Sequence, residues 1–474
     1  MISQSGDDLQ GNEVRIFPGF VIIFVLALTL RLVFWSLIAT HPERMLSPDS
    51  SDYNAFALNI LSGKGFLLDS NSPYYWYSLL RTPVYPLFLS TVYLLSGENY
   101  IWVGFVQGIL SSLISALTFL IGQRLFGRRA GFIAGLLSAF SLLSIIYSLM
   151  ILSDILFTIM LVSCLWCTIE FWIQGTTRWL LTSAVLLGIA ILCRPIAVNY
   201  TFFLLIMAIV GSKQKLLQGV KNAVVFIFVV VLLVGSWIVH NWIVFRVPSL
   251  SGISSYNLVY YNAASLVSDL RGVDRDTAVK ELSDSVDERL NSMGVSDGKK
   301  ASWAQVLAAW RYVGRKVILQ SPGRYIALHL RSDIKSLRSG SDEIFNLLDH
   351  HPREHGTLQV LRDKGLFSAI QHYRKESIWP DNVSHISTAL LWIAYALSLL
   401  GVGSLIYKKQ SVLLILLVGT IAYFILLPGA PSTPRFRVPV EPVIYLLAAN
   451  GCTFGGSVAS RYLTSSRNRA KMHK

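Results

Sequence analysis

MLSPDSSDYNAFALNILSGKGF, residues 45–66, follows directly on the first long apolar run of the chain, residues 17–40. Crossing the hydrocarbon core of a bilayer takes roughly 20 apolar residues, so 17–40 reads as a membrane span. The loop beyond it then carries two aspartates, Asp49 and Asp52, close to a membrane face. Composition agrees with that reading. Of 474 residues, 53% are hydrophobic and only 14% charged, which marks a polytopic membrane protein. The leader sets Asp7, Asp8 and Glu13 against Arg15, unlike the basic start of a cleavable signal, and the run after it is long enough to stay as a span.

Working outward, further apolar runs occur at about 101–122, 130–150, 152–173, 179–193, 196–211 and 222–245, then at 386–407, 411–428 and 441–458. The expectation is an all-α membrane protein with about ten transmembrane helices. Residues 84–96 are apolar but short, and Pro83 and Pro86 break the loop before them, so interfacial helices are expected in the first outer loop (41–98). Tyr74, Tyr75, Trp76 and Tyr77 read as an aromatic belt. The chain divides into a membrane module (1–245), a mainly helical extracytoplasmic segment (246–385), and C-terminal helices with a basic tail (386–474).

Basic residues set the orientation. Arg124, Arg128 and Arg129, then Lys213, Lys215 and Lys221, Lys408 and Lys409, and the tail all fall on one side with the N-terminus. The positive-inside rule makes that side cytoplasmic. Both termini are then cytoplasmic in an inner (plasma) membrane, and the Asp49 loop, 246–385 and 429–440 lie outside. The net charge of +14 is accounted for by topology and lipid headgroups, without nucleic acid.

Other signals are weaker. Cys164 and Cys167 have C-x-x-C spacing inside an apolar run, without a second pair, and read as packing residues. Asp349, His350, His351 and His355 cluster without a recognisable ligand spacing, so a divalent metal is possible but not indicated. In 303–320 the apolar residues recur at helical spacing, and Ser321-Pro322 reads as the start of another helix. Asn382-Val383-Ser384 matches a glycosylation sequon. Arg31, within the first span, must face protein or a polar cavity.

The ionisable residues at the outer membrane face carry the chemistry. Asp49 and Asp154 come from separate segments. If they meet, one can take a proton from an attacking hydroxyl while the other orients it. Asp154 also stands where a helix cap is expected, and Asp52 where a helix starts, with Tyr53 beside it as a substrate contact. Arg81, Arg194, Arg435 and Arg437 sit at outer boundaries beside proline turns and can present guanidinium forks to a phosphate. His240 lies at the same level. A sugar on a polyprenyl phosphate has the matching chemistry. Its tail stays in the bilayer, its phosphate meets arginine, and its transfer needs a base for the acceptor hydroxyl.

These stretches resemble the GT-C class of polytopic glycosyltransferases, related to protein O-mannosyltransferases and to the aminoarabinose transferase of lipid A. The resemblance is carried by LRLVFW, SPDSSDYNAFALNILSGKGF, RTPVYPLFLSTVYLLSG, GQRLFGRRAGFIAGLLSAFS, SDILFTIML, HNWIVFRVPSLSGISSYNLVYYNA and PRFRVPVEPVIYLLAANG, in that order. It implies a GT-C fold and inverting transfer from a lipid-phosphate sugar to a glycan, lipid or protein, with no cofactor required. It places the catalytic base at Asp49 and the carboxylate opening the fourth span at Asp154. Ser50 follows Asp49 where protein mannosyltransferases usually carry Glu, which argues against protein mannosylation. His240-Asn241 stands where the family often has Arg-Asn. A transporter or flippase of lipid-linked sugars is the alternative, drawing on Arg31 and the Pro-interrupted segments. Against it, the sequence shows no inverted repeat.

Overall fold

The structure is a computed structural model. It describes residues 16–66, 68, 78–211, 216–295, 301–340, 343–348, 362, 365, 367–368 and 379–472, with side chains of the final helix described as far as residue 456. The aromatic belt at 74–77 and the His/Asp cluster at 349–355 lie outside the described residues. Among the described residues the secondary structure is helical, without strands.

Each expected apolar run is helical, the run at 130–150 as two helices. In chain order these are α1 (Ile16–Ile38), then α2 (Ser50–Leu61) and α3 (Val84–Ser96) in the first loop, α4 (Tyr100–Phe126), α5 (Arg128–Ala139), α6 (Leu142–Leu149), α7 (Asp154–Gln174), α8 (Thr177–Cys193), α9 (Tyr200–Gly211) and α10 (Leu216–Phe245). The segment after α10 forms α11 (Ile253–Asn257), a π-helical turn (Leu258–Ala263), α12 (Ala264–Arg271), α13 (Arg275–Ser292), α14 (Trp303–Gln320), α15 (Pro322–Asp333) and α16 (Glu343–Leu347). The chain closes with α17 (Trp379–Tyr407), α18 (Ser411–Leu426) and α19 (Glu441–Met472). This is a multi-pass membrane protein. Five of the described helices are long and apolar enough to cross a membrane, and six if a bent pair counts as one span. The expected number of ten is therefore not reached on length and composition alone; α8, α9 and α18 are apolar but shorter.

The bent pair is α5 and α6, which meet at 49°. Sequence periodicity suggested one span at 130–150, and the break has a local cause. Ser141 caps α6, accepting a bond from the Ser144 amide at 3.1 Å. Arg31 covers the end of α5. Its guanidinium is 1% exposed and donates to the carbonyls of Ala139 at 3.0 Å and Ser138 at 3.5 Å, to that of Ala27 at 3.1 Å, and to Ser111 Oγ at 2.9 Å. The last carbonyls of a helix have no partner within it, and Arg31 satisfies two of them at depth. Its polar groups are engaged in helix packing, which removes Arg31 as one of the two observations behind the transport reading.

Two cores result. The larger joins α4, α7, α8 and the start of α19. The smaller is built from α12, α13 and α14 and includes Leu79, Leu80, Phe245 and Val247. The segment after α10 thus packs directly on the residues just before Arg81. A capping box at Ser302 and Gln305 starts α14. Pro322 occupies the first position of α15, although Ser321 makes no side-chain cap.

The last helix is held by close backbone approach. A Cβ at Gly401 on α17 would collide with the Leu447 carbonyl of α19, whereas one at Gly403 would meet open space. Alanine normally gains about 0.4–1 kcal/mol over glycine where the backbone tolerates it. Gly403→Ala should therefore leave the melting temperature in detergent unchanged or raised. Gly401→Ala should lower it by parting α17 from α19. Equal effects of the two would contradict this packing.

Candidate active site

Local backbone bonds bring the site together. Ser50 Oγ accepts from the Ser47 amide and donates to the Ile151 carbonyl, both at 2.9 Å. The Ile151 amide in turn donates to the Met45 carbonyl at 2.9 Å. The loop bearing Asp49 is thereby fastened to the turn that opens α7, whose first residue is Asp154. A second fastening joins two arginines. Thr82 Oγ1 donates to the Cys193 carbonyl at 3.1 Å, placing Arg81 beside Arg194. The carbonyls of Leu79 and Leu80 accept from the Gly252 amide at 2.9 Å and from Ser251 Oγ at 2.5 Å. Arg435 arrives on a 3-10 helix, Pro434–Val440, that leads into α19.

These residues form a continuous chain of alternating charge. Asp52 pairs with Arg81 Nε. Arg81 Nη2 lies 2.9 Å from Asp49 Oδ1. Arg435 Nη1 lies 2.8 Å from the other oxygen, Asp49 Oδ2. Arg435 Nε lies 2.8 Å from Asp154 Oδ2, and Arg194 closes on Asp154 Oδ1. Three carboxylates thus alternate with three guanidiniums. The Tyr53 ring supports Arg81, whose Cζ is 4.7 Å from its centroid. Phe157 and Phe436 each lie 5.8 Å from the Arg194 guanidinium. Neither ring was singled out from sequence, although Phe436 stands between the two arginines of Arg-Phe-Arg.

The carboxylates differ in access. The Asp49 side chain is 32% exposed, Asp52 3% and Asp154 0%. Asp49 occupies the N-cap position of α2 but makes no capping bond, so its carboxylate is free to face the arginines. Burial tends to raise its pKa, but Arg81 and Arg435 outweigh that and hold it well below the usual carboxylate range. For Asp52, burial is the largest influence and lifts the carboxyl above its ordinary value despite Arg81. The two aspartates, three residues apart, are pushed in opposite directions.

Two residues named with these from sequence lie elsewhere. Arg437 is 1% exposed. It pairs with Glu441 at 3.0 Å and donates to the carbonyls of Ser336, Arg338 and Ser339. Glu441 also accepts from Ser144 at 3.0 Å and from Ser141. Arg437 is thus a buried clamp between residues 336–339, which follow α15, and α19, not a second fork beside Arg435. His240 stacks on Trp237, with ring centroids 4.4 Å apart, and its Nδ1 is 3.3 Å from Asn241 Oδ1. Neither contact joins the charge chain. Asn241 fastens the turn after α10, donating to the Ser249 carbonyl at 2.8 Å. Among the described residues no group of three or more His, Cys, Asp or Glu side chains is placed to hold a metal ion.

Residues 80–240 match the family described as dolichyl-phosphate-mannose-protein mannosyltransferase. The matched stretch contains Arg81, Asp154 and Arg194, so the likeness to mannosyltransferases expected from the sequence is present over that stretch. Curated proteins give no match. Among solved structures, the archaeal oligosaccharyltransferase AglB from Archaeoglobus fulgidus, in complex with an inhibitory peptide and a dolichol-phosphate, is 14% identical with a TM-score of 0.49, covering 96% of this chain and 52% of its own. This chain therefore spans about half the length of that protein. ArnT from Cupriavidus metallidurans is 14% identical in the apo state (TM-score 0.38, 91% of this chain, 77% of its own). Bound to undecaprenyl phosphate it is 13% identical (TM-score 0.39, 94% and 80%).

The depressed pKa of Asp49 has a stability consequence. A carboxylate depressed by folding contributes stability above its unfolded value of about 3.9, and that stability is lost as pH falls through the folded value. Asp49→Asn should therefore melt below wild type at neutral pH, with the gap narrowing on acidification below about pH 4. A gap independent of pH would show that Asp49 is not held ionised by the two arginines.

Proposed function

We propose that this protein is an inverting glycosyltransferase that moves a sugar from a polyprenyl-phosphate donor to a hydroxyl acceptor on a glycan, lipid or protein. The observation that carries the proposal is a single accessible carboxylate, Asp49, held between two guanidiniums at the end of a membrane helix bundle. The family match over residues 80–240 supports a polyprenyl-phosphate sugar as donor. The distribution of basic loops supports a site on the extracytoplasmic face of the cell membrane, with both termini inside.

In this reading Asp49 accepts the proton of the acceptor hydroxyl. The acceptor oxygen bonds to the anomeric carbon as the bond from that carbon to the phosphate oxygen breaks, and its electron pair leaves with the polyprenyl phosphate. Arg81 and Arg435, with Arg194 behind them, stabilise the charge growing on that phosphate. They supply the positive charge that a divalent cation would otherwise bring, so no metal or cofactor is required. Asp154 and Asp52 hold the arginines rather than meeting the acceptor, since their exposures are 0% and 3%.

The test uses purified protein in nanodiscs, a panel of synthetic polyprenyl-phosphate sugars and hydroxyl acceptors, and release of polyprenyl phosphate as readout. Asp49→Asn should lower kcat by about 10²–10⁴, the contribution of a general base, and chelation should leave the wild-type rate unchanged. Wild-type turnover by Asp49→Asn would remove Asp49 as the base.

A further inference from the structure

The two arginines beside Asp49 are arranged alike. Each has its Nε bonded to a buried carboxylate, Arg81 to Asp52 and Arg435 to Asp154. Each turns an Nη atom to a different oxygen of Asp49, at 2.9 and 2.8 Å. The Nε partners are shut away from solvent, while Asp49 is about a third exposed. A carboxylate with this access is the one partner that can leave without being stranded in the protein interior. Held in this way, the two Nη edges form a seat for a small anion with two oxygens, filled by the protein's own carboxylate.

From this geometry we infer that Asp49 and the phosphate of a polyprenyl phosphate compete for the same two guanidinium edges, so that lipid-phosphate binding is what frees the base. The inference rests on the proposed function and deepens it. A phosphate diester also offers two anionic oxygens and can replace the carboxylate on both arginines, because arginine forks bind phosphate and carboxylate alike. While Asp49 remains between the arginines its proton affinity is suppressed, which makes it a poor base. Once they turn to phosphate, that suppression is lifted and the carboxylate leaves the seat for the face of the sugar opposite the leaving phosphate, where an inverting attack needs its base. An acceptor hydroxyl therefore meets a competent base only when the donor is in place, which guards against futile binding of acceptor to the empty site. Asp52 and Asp154 act as positioning residues throughout, keeping each Nη edge aimed at the seat.

Competition of this kind reverses the usual effect of removing a catalytic side chain. The experiment measures binding of farnesyl phosphate, with farnesol as the uncharged control, to the full-length protein in nanodiscs by calorimetry. Asp49→Asn and Asp49→Ser should both bind farnesyl phosphate more tightly than wild type, by on the order of tenfold or more, with farnesol binding unchanged. Melting curves identify any variant that fails to fold. Equal or weaker binding by both folded variants, with Arg81→Ala and Arg435→Ala weakening it, overturns the competition while leaving the phosphate on the arginines. If Arg81→Ala and Arg435→Ala leave the affinity at the wild-type value, the arginine phosphate seat itself is wrong, and the proposed function loses its donor site.

Discussion

The structure depends on one run of alternating charge, Asp52–Arg81–Asp49–Arg435–Asp154–Arg194. Near a bilayer each of these groups is costly unless it is paired, and removing one partner of a buried pair costs about 3–5 kcal/mol because the other is left uncompensated. The six groups come from five separate stretches of chain. Each stretch must be delivered to within hydrogen-bonding distance, so the run constrains the helices behind it. Ser50 against Ile151 and Thr82 against Cys193 provide that delivery through backbone carbonyls, independent of the charges themselves.

The constraint reaches past the membrane helices. Leu79 and Leu80, just before Arg81, belong to the core built from α12, α13 and α14. The polar segment after α10 thus helps set where Arg81 stands. On the opposite flank, Arg437 clamps the carbonyls of Ser336 and Ser339 while Glu441 begins α19. One arginine of Arg-Phe-Arg faces the site, and the other builds the wall that carries it. The charge chain and the docking of the segment after α10 are in this sense one structure.

Apolar run length made the helices legible in the sequence, and proximity to run ends made the site legible. Proximity to run ends singles out Asp49, Asp52, Arg81, Asp154, Arg194 and Arg435, and the fold brings them together. What run length cannot give is direction. Two residues along a 3-10 helix turn a side chain well away from its predecessor, so Arg437 is buried where Arg435 is not. The signal for that was present, since Glu441 stands four residues on, the spacing of a helical ion pair. His240 likewise had Trp237 three residues before it, close enough to stack. The bend between α5 and α6 is only half legible: the Ser141 cap is local, but Arg31, which covers the end of α5, lies more than a hundred residues away in sequence. Periodicity also cannot weigh access. Asp49 and Asp154 look alike as carboxylates at span ends, and each lies between two guanidiniums; only packing shows that Asp49 stays about a third exposed while Asp154 is fully buried.

The most direct measurement is a structure of the protein in nanodiscs with a polyprenyl monophosphate bound. The account predicts phosphate oxygens about 2.7–2.9 Å from Nη atoms of Arg81 and Arg435, the Nε contacts to Asp52 and Asp154 intact, and Asp49 turned out of the seat. Phosphate bound elsewhere, with Asp49 still between the two arginines, would contradict it.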